Sequence, residues 1–158
     1  MKTIYLDQTQ NLDCMSIFIK DTQIIPAGTT LSIMPSRHQN AEYPRFAREY
    51  DIHFLFENDP PTIDFYAVPR LDIFARDSRG GYLCSLKAAA DFESDANIIY
   101  VDKNRRCFLA AENGASFLHH IADWRNRFIP LDGIRIFSSL AEAQKEYEFF
   151  TVNSLALS

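Results

Sequence analysis

The sequence predicts an α+β fold, a twisted and mainly antiparallel sheet with flanking helices, and three observations predict it. Short β-rich runs separated by turn residues fill Leu71 to Ala111. Aromatic residues make up 13% of the chain, with 13 Phe and seven Tyr, and such side chains favour pleated surfaces. Apolar spacing of helical period is confined to short stretches after Asn113 and around Pro44.

The organising stretch runs from Leu71 to Asp102. Leu71, Ile73 and Ala75 alternate with Asp72 and Arg76, the period of a half-buried strand. Asp77-Ser78-Arg79-Gly80-Gly81 then supplies side-chain oxygens that cap a turn and glycines that accept positive φ. Tyr82-Leu83-Cys84 resumes the apolar run, which makes a hairpin. Asn97 to Val101 is a third β-rich run, and Lys103-Asn104-Arg105 turns it into Arg106 to Ala111. A meander of antiparallel strands follows, on which the rest packs.

Ahead of the meander, Ile4 and Leu6 mark a short strand or arm, Met15 to Ile19 a strand, and Pro26-Ala27-Gly28 a break. Thr30 to Met34 resumes β character, and Pro35 to Asn40 is a polar loop. Pro44 suits the first turn of a short helix containing Phe46, Ala47 and Tyr50. Ile52 to Phe56 and Ile63 to Val68 read as strands on either side of the break Glu57-Asn58-Asp59-Pro60-Pro61. Beyond the meander, Phe117, Leu118, Ile121, Trp124 and Phe128 form a stripe at helix spacing that stops before Pro130. Ile134 to Phe137 is β-like, and Ser139-Leu140-Ala141-Glu142 is a capping box opening a second helix. The tail from Phe149 docks as an edge strand or frays.

At 158 residues the chain suits a single domain, residues 1–158, able to bury a core without staples. An apolar fraction of 47% argues against disorder. The net charge of −5 argues against a nucleic-acid partner, since phosphate contacts need a basic face, and fits a basic protein partner or ordinary solubility. Cys14, Cys84 and Cys107 form no CxxC pair. Cys84 and Cys107 sit in apolar runs, so reduced buried thiols and a cytoplasmic setting are expected. No apolar run is long enough for a membrane span, so no membrane partner is expected.

Motifs for chemistry are weak. His119 and His120 diverge by about 100° on a helix and cannot readily share an ion. His119 and Asp123 have ligand spacing, i and i+4, but no third ligand accompanies them. Gly80-Gly81 lacks the GK[ST] ending of a phosphate loop and leads into a strand. No catalytic residue, no metal and no cofactor is expected. The carboxylates of two loops, Glu57 and Asp59, and Asp91, Glu93 and Asp95, are candidate binding residues, because loops on rigid scaffolds carry recognition. Small basic groups (Arg37, Arg45 and Arg48; Lys103, Arg105 and Arg106; Arg125 and Arg127) stand apart from them.

Phe65-Tyr66-Ala67-Val68-Pro69, Asp72-Ile73-Phe74, Asp77 to Tyr82, Ile99-Tyr100-Val101-Asp102, Cys107 to Ala110 and the segment Ser116 to Trp124 together resemble the SUKH superfamily, over about residues 52–128. The family's opening helix pair has no counterpart, since residues 1–50 are β-rich. The shared positions are core and turn positions, so no functional residue transfers. The resemblance implies a non-catalytic domain, in bacteria an immunity protein that binds and neutralises a cognate toxin. A basic toxin would gain on-rate from an acidic face. Two other classes stand beside it: a small enzyme using His119, Asp123 and nearby carboxylates, and a general regulatory adaptor.

Overall fold

The computed structural model describes residues 2–9, 21–86 and 95–150. The expected strand Met15 to Ile19, Cys14, and the candidates Asp91 and Glu93 lie outside these residues. The fold is α+β. Its elements are β1 (Lys2–Asp7), β2 (Thr22–Ala27), β3 (Thr29–Leu31), α1 (Glu42–Tyr50), β4 (His53–Phe54), β5 (Tyr66–Val68), β6 (Leu71–Arg76), β7 (Tyr82–Ser85), β8 (Ile98–Val101), β9 (Cys107–Ala111), α2 (Gly114–His119), β10 (Ile129–Pro130), β11 (Arg135–Phe137) and α3 (Leu140–Gln144).

The expected meander is the centre of the molecule. Among the described residues, strands β10-β9-β8-β7-β6-β3 lie side by side, and β4 joins the free end of β6. The pairings from β6 through β10 are antiparallel. Two departures are parallel: β3 runs alongside Leu71–Ile73 of β6, and β1 pairs with β2 in a separate two-stranded sheet. β3 and β4 divide one edge of β6 between them, β3 taking its start and β4 its end. A second small sheet pairs β5 with β11.

Strand β6 departs from simple alternation. Its register against β7 shifts between Ile73 and Ala75, a bulge that puts an extra residue on one strand and re-aims the side chains after it. Leu71 and Ile73 therefore enter one core, with Cys84, Ile99 and Val101, whereas Phe74 and Ala75 enter the other, with Leu83, Ile98, Tyr100 and Trp124. The sheet is thus covered on both faces, not half-buried. Leu55, Phe65 and Ala67 pack on one face, and Ile52, Phe117 and Trp124 on the other. Asp72, expected on the exposed side, is buried, and its carboxylate accepts hydrogen bonds from the Thr30 hydroxyl at 2.6 Å and from the Ser32 hydroxyl. Those bonds satisfy a buried polar group and tie β3 to β6.

The helices follow their local chemistry. Pro44 lies in the first turn of α1, where its missing N–H costs nothing. Asn113 caps α2 and Ser139 caps α3, each side-chain oxygen accepting the backbone N–H three residues on. The apolar stripe from Phe117 to Phe128 is not one helix. α2 ends at His119, and Ile121–Arg127 is a 3₁₀ segment broken at Asp123 (φ −128°). Most of the stripe still faces one core, with Phe117 and Trp124 buried and Ile121 and Phe128 packed against them, whereas Leu118 is exposed. Spacing reported which side chains are apolar together; it did not report that the backbone tightens between them.

The third core lies around the two small sheets, where Ala27, Tyr66, Val68 and Ala143 are buried against Tyr5, Tyr147 and Phe149. The start of the tail docks on its own chain: Phe149 bridges Tyr5 in parallel, and the Phe150 N–H donates to the Tyr5 carbonyl at 2.8 Å. No helix among the described residues is long and apolar enough to cross a membrane.

Candidate functional site

The hairpin end of the sheet gathers a dense polar network. The turn Asp77–Gly81 joins β6 to β7, and the turn Asp102–Arg106 joins β8 to β9. The register Arg76 to Tyr82 to Val101 to Cys107 places both turns at the same end.

Asp77 organises the first turn. Its Oδ1 accepts the Arg79 N–H at 3.0 Å and the Gly81 N–H at 2.8 Å, closing the loop on itself. Its Oδ2 accepts the Tyr100 hydroxyl at 2.5 Å and Arg125 Nη1 at 2.9 Å. Burial alone would raise the Asp77 carboxyl, whose side chain is 1% exposed, but the bonds from Tyr100, Gly81, Arg125 and Arg79 outweigh it and hold it below the ordinary carboxylate range. The same contact, added to burial, pushes Tyr100 up to about 12. Gly81 is required by close approach: a Cβ there would run into the Tyr100 hydroxyl, which Asp77 pins in place.

Arg125, from the 3₁₀ segment, bridges this turn to the end of α1. Its Nη2 donates to Asp51 Oδ2 at 2.7 Å, and its guanidinium lies 4.4 Å from the Trp124 ring centroid. Asp51 terminates α1 in the left-handed region (φ 57°), a conformation Asp tolerates better than most residues. There its carboxylate also accepts the Ser78 N–H and hydroxyl, the latter at 2.7 Å, and contacts His53 Nε2 at 2.9 Å. Burial opposes ionisation of Asp51, and the Ser78, His53 and Arg125 contacts lower its pKa nonetheless. The Trp124 indole N–H donates to the Tyr50 carbonyl at 2.8 Å, a second tie between the same elements. The chain Asp51–Arg125–Asp77–Tyr100 thus locks α1, the first hairpin, β8 and the 3₁₀ segment together.

The second turn is similarly built. Asp102 accepts the N–H groups of Asn104 and Arg106, each at 2.9 Å, and Arg106 Nε at 2.8 Å. Arg105 reaches Asp64 at 2.6 Å while lying over the Phe65 ring. Between the two turns a cleft of about 560 Å³ opens, rimmed by Arg79, Lys103 and Arg106 and floored by Tyr100, Phe108 and Phe128. Phe128 stacks on Tyr100 at 4.8 Å and on Phe108 at 5.7 Å between centroids.

The acidic candidates fall into two places. Glu57 and Asp59 stand at the hairpin end, both already engaged: Glu57 accepts the Ser36 N–H at 3.0 Å, and Asp59 pairs with Arg76 at 2.7 Å while its side chain stays 80% exposed. Asp95 is exposed and precedes Ile98, which pairs with Ser85, itself opposite Asp72. It therefore lies at the other end of the strands, and the structure does not bring it together with Glu57 and Asp59.

His119 and His120 meet edge to face with ring centroids 4.7 Å apart. Asp123 faces Arg127 at 3.8 Å, and the helix break after His119 removes the i, i+4 geometry that would join it to His119. Among the described residues no group of three His, Cys, Asp or Glu side chains is placed to hold a metal ion.

The sequence reading missed the Asp51–Arg125–Asp77–Tyr100 network. Asp77 and Gly81 were legible as turn residues, but Tyr100 and Arg125 lie 23 and 48 positions from Asp77, and Arg125 lies 74 from Asp51. Arg125 looked like any basic residue beside an apolar stripe. Comparison with protein-family models, with curated proteins and with solved structures finds no match to this chain.

Proposed function

We propose that the chain is a non-catalytic protein-binding domain, an immunity-type protein of the SUKH kind that neutralises a cognate toxin in the cytoplasm by covering its surface. One observation supports the non-catalytic reading most directly. In the network at the hairpin end, Asp51 and Asp77 are held ionised and Tyr100 is held protonated, all well away from neutrality. Acid–base catalysis needs a group poised near the working pH, and this network moves its groups the other way. These bonds stiffen the first turn and the Asp102 bonds stiffen the second, and the tips carry exposed Ser78, Arg79, Lys103 and Asn104, the arrangement expected of recognition loops on a rigid frame. The toxin assignment rests on the family resemblance. Glu57, Asp59, Asp91, Glu93 and Asp95 remain proposed contacts for basic patches of the partner.

The test is affinity capture from the source cells at physiological salt, identification of the retained protein by mass spectrometry, and its expression with and without this chain. A partner that arrests growth alone and is rescued by co-expression supports the reading. A retained partner with no growth effect would favour a general adaptor and defeat the immunity assignment. Turnover of a metabolite by the purified chain would defeat the non-catalytic reading itself.

A further inference from the structure

We infer that the cleft between the two hairpin turns is the docking site for an acidic peptide segment of the protein partner. This rests on the binding-domain reading and names the chemistry of one contact.

The charge of the cleft runs against that of the chain. The whole sequence carries a net −5, yet the cleft lining has four cations, Arg79, Lys103, Arg106 and Arg125, against the single carboxylate Asp102. Most cations at this end are spoken for. Arg76 pairs with Asp59, Arg105 with Asp64, Arg106 with Asp102, and Arg125 with Asp51 and Asp77. Arg79 and Lys103 are exposed, and neither makes an ion pair among the described residues. They sit one on each turn, so they flank the cleft and their positions are fixed by the Asp77 and Asp102 loops beneath them.

The aromatic floor selects the kind of anion. Phe128 stacks on both Tyr100 and Phe108, Trp124 closes on Phe128, and the Arg106 guanidinium lies over Phe108 at 5.9 Å. Each of these rings has a face taken by a neighbour, which leaves the cleft to offer chiefly cations and ring edges, whose quadrupole is positive. Nucleic-acid platforms need open ring faces for base stacking. Carboxylates on an extended peptide need only the cations and edges, and a cleft of about 560 Å³ accommodates two or three side chains.

The experiment titrates the full chain with a fluorescein-labelled hexaglutamate peptide, with hexalysine and hexathymidylate as comparators, at about 25 mM salt, where a long screening length favours charge contacts. Anisotropy reads binding. Fluorescence of Trp124, the one tryptophan of the chain, reads its place, since that ring contacts Tyr100, Phe128 and Arg125. Hexaglutamate is expected to bind, to change Trp124 emission, and to lose about tenfold or more in affinity in the double variant Arg79→Glu/Lys103→Glu. Both substitutions are on exposed tips, and circular dichroism checks that the fold persists. Tighter binding of hexathymidylate would assign the cleft to nucleic acid and overturn the inference. Hexaglutamate binding unchanged in the double variant would place it elsewhere and overturn it too. A captured protein partner that binds wild type and double variant equally overturns the acidic-segment contact while leaving the binding-domain reading intact.

Discussion

Replacing Arg125 with Met removes the bridge at the centre of the polar network while keeping the length of the aliphatic stem over Trp124. Asp77 is left as a buried carboxylate whose side chain is 1% exposed, with Tyr100 and two backbone N–H groups as its remaining partners. Breaking a buried pair on one side costs roughly 3–5 kcal/mol. The three surviving hydrogen bonds put this case near the lower end, about 3 kcal/mol. With an m-value of ~2 kcal/mol per molar, that shifts the urea midpoint down by about 1.5 M at pH 7. Far-ultraviolet circular dichroism is the suitable probe, because Trp124 fluorescence will itself change. The sign of the pH dependence is fixed by Asp77. Its folded pKa lies below the ordinary 3.8, so its contribution is present above that value and lost as pH falls through the folded pKa. The gap between wild type and variant should therefore narrow as the pH falls below 4. A midpoint shift under ~0.5 M, or a gap that does not change with pH, would refute the claim that Arg125 neutralises a buried charge.

Three further outcomes are expected. Gly81→Ala should cost roughly 2–3 kcal/mol by overpacking, because its methyl meets a Tyr100 hydroxyl that cannot retreat from Asp77; adding Tyr100→Phe should recover part of the loss, seen as a partial return of the melting temperature. Stability should fall at both pH extremes: in acid as Asp51, Asp77 and Asp102 protonate, and in base between 10 and about 12 as Tyr100 ionises more readily unfolded than folded. Melting curves of Asp77→Asn should show a shallower acid limb. Cys84 is fully buried and its thiol is pushed well up by burial, while Cys107 is raised to about 11, so iodoacetamide at pH 8 should modify neither until urea unfolds the chain, as peptide mass mapping will show.

What could be read from the sequence was local. The meander, the Asp77 turn, the turn at Lys103-Asn104-Arg105, Pro44 in the first turn of a helix, and the Ser139 cap each depend on residues a few positions apart, and each was legible. Contacts that join distant segments were not. Nothing near Thr29 announces that it pairs in parallel with Leu71, because parallel pairing requires an intervening crossover whose length carries no signature. The bulge at Ile73 to Ala75 also left no mark, since Leu71, Ile73 and Ala75 alternate as well as any half-buried strand. The helix break after His119 was hidden for a related reason: a 3₁₀ turn and an α-helix put apolar residues on nearly the same face over one or two turns. For the site, the acidic loops were conspicuous because charge clusters can be seen in a string. The cations that matter, Arg79 and Lys103, acquire meaning only when two turns 20-odd residues apart reach the same end of a sheet.

The central claim is that activity resides in a rigid polar end of the sheet that meets a protein surface. Hydrogen exchange of the backbone amides, with and without the captured partner, tests it most directly. Slowed exchange in the turns Asp77–Gly81 and Asp102–Arg106 is the expected result. Protection confined to the opposite end of the strands, with both turns exchanging as in the free chain, would contradict it.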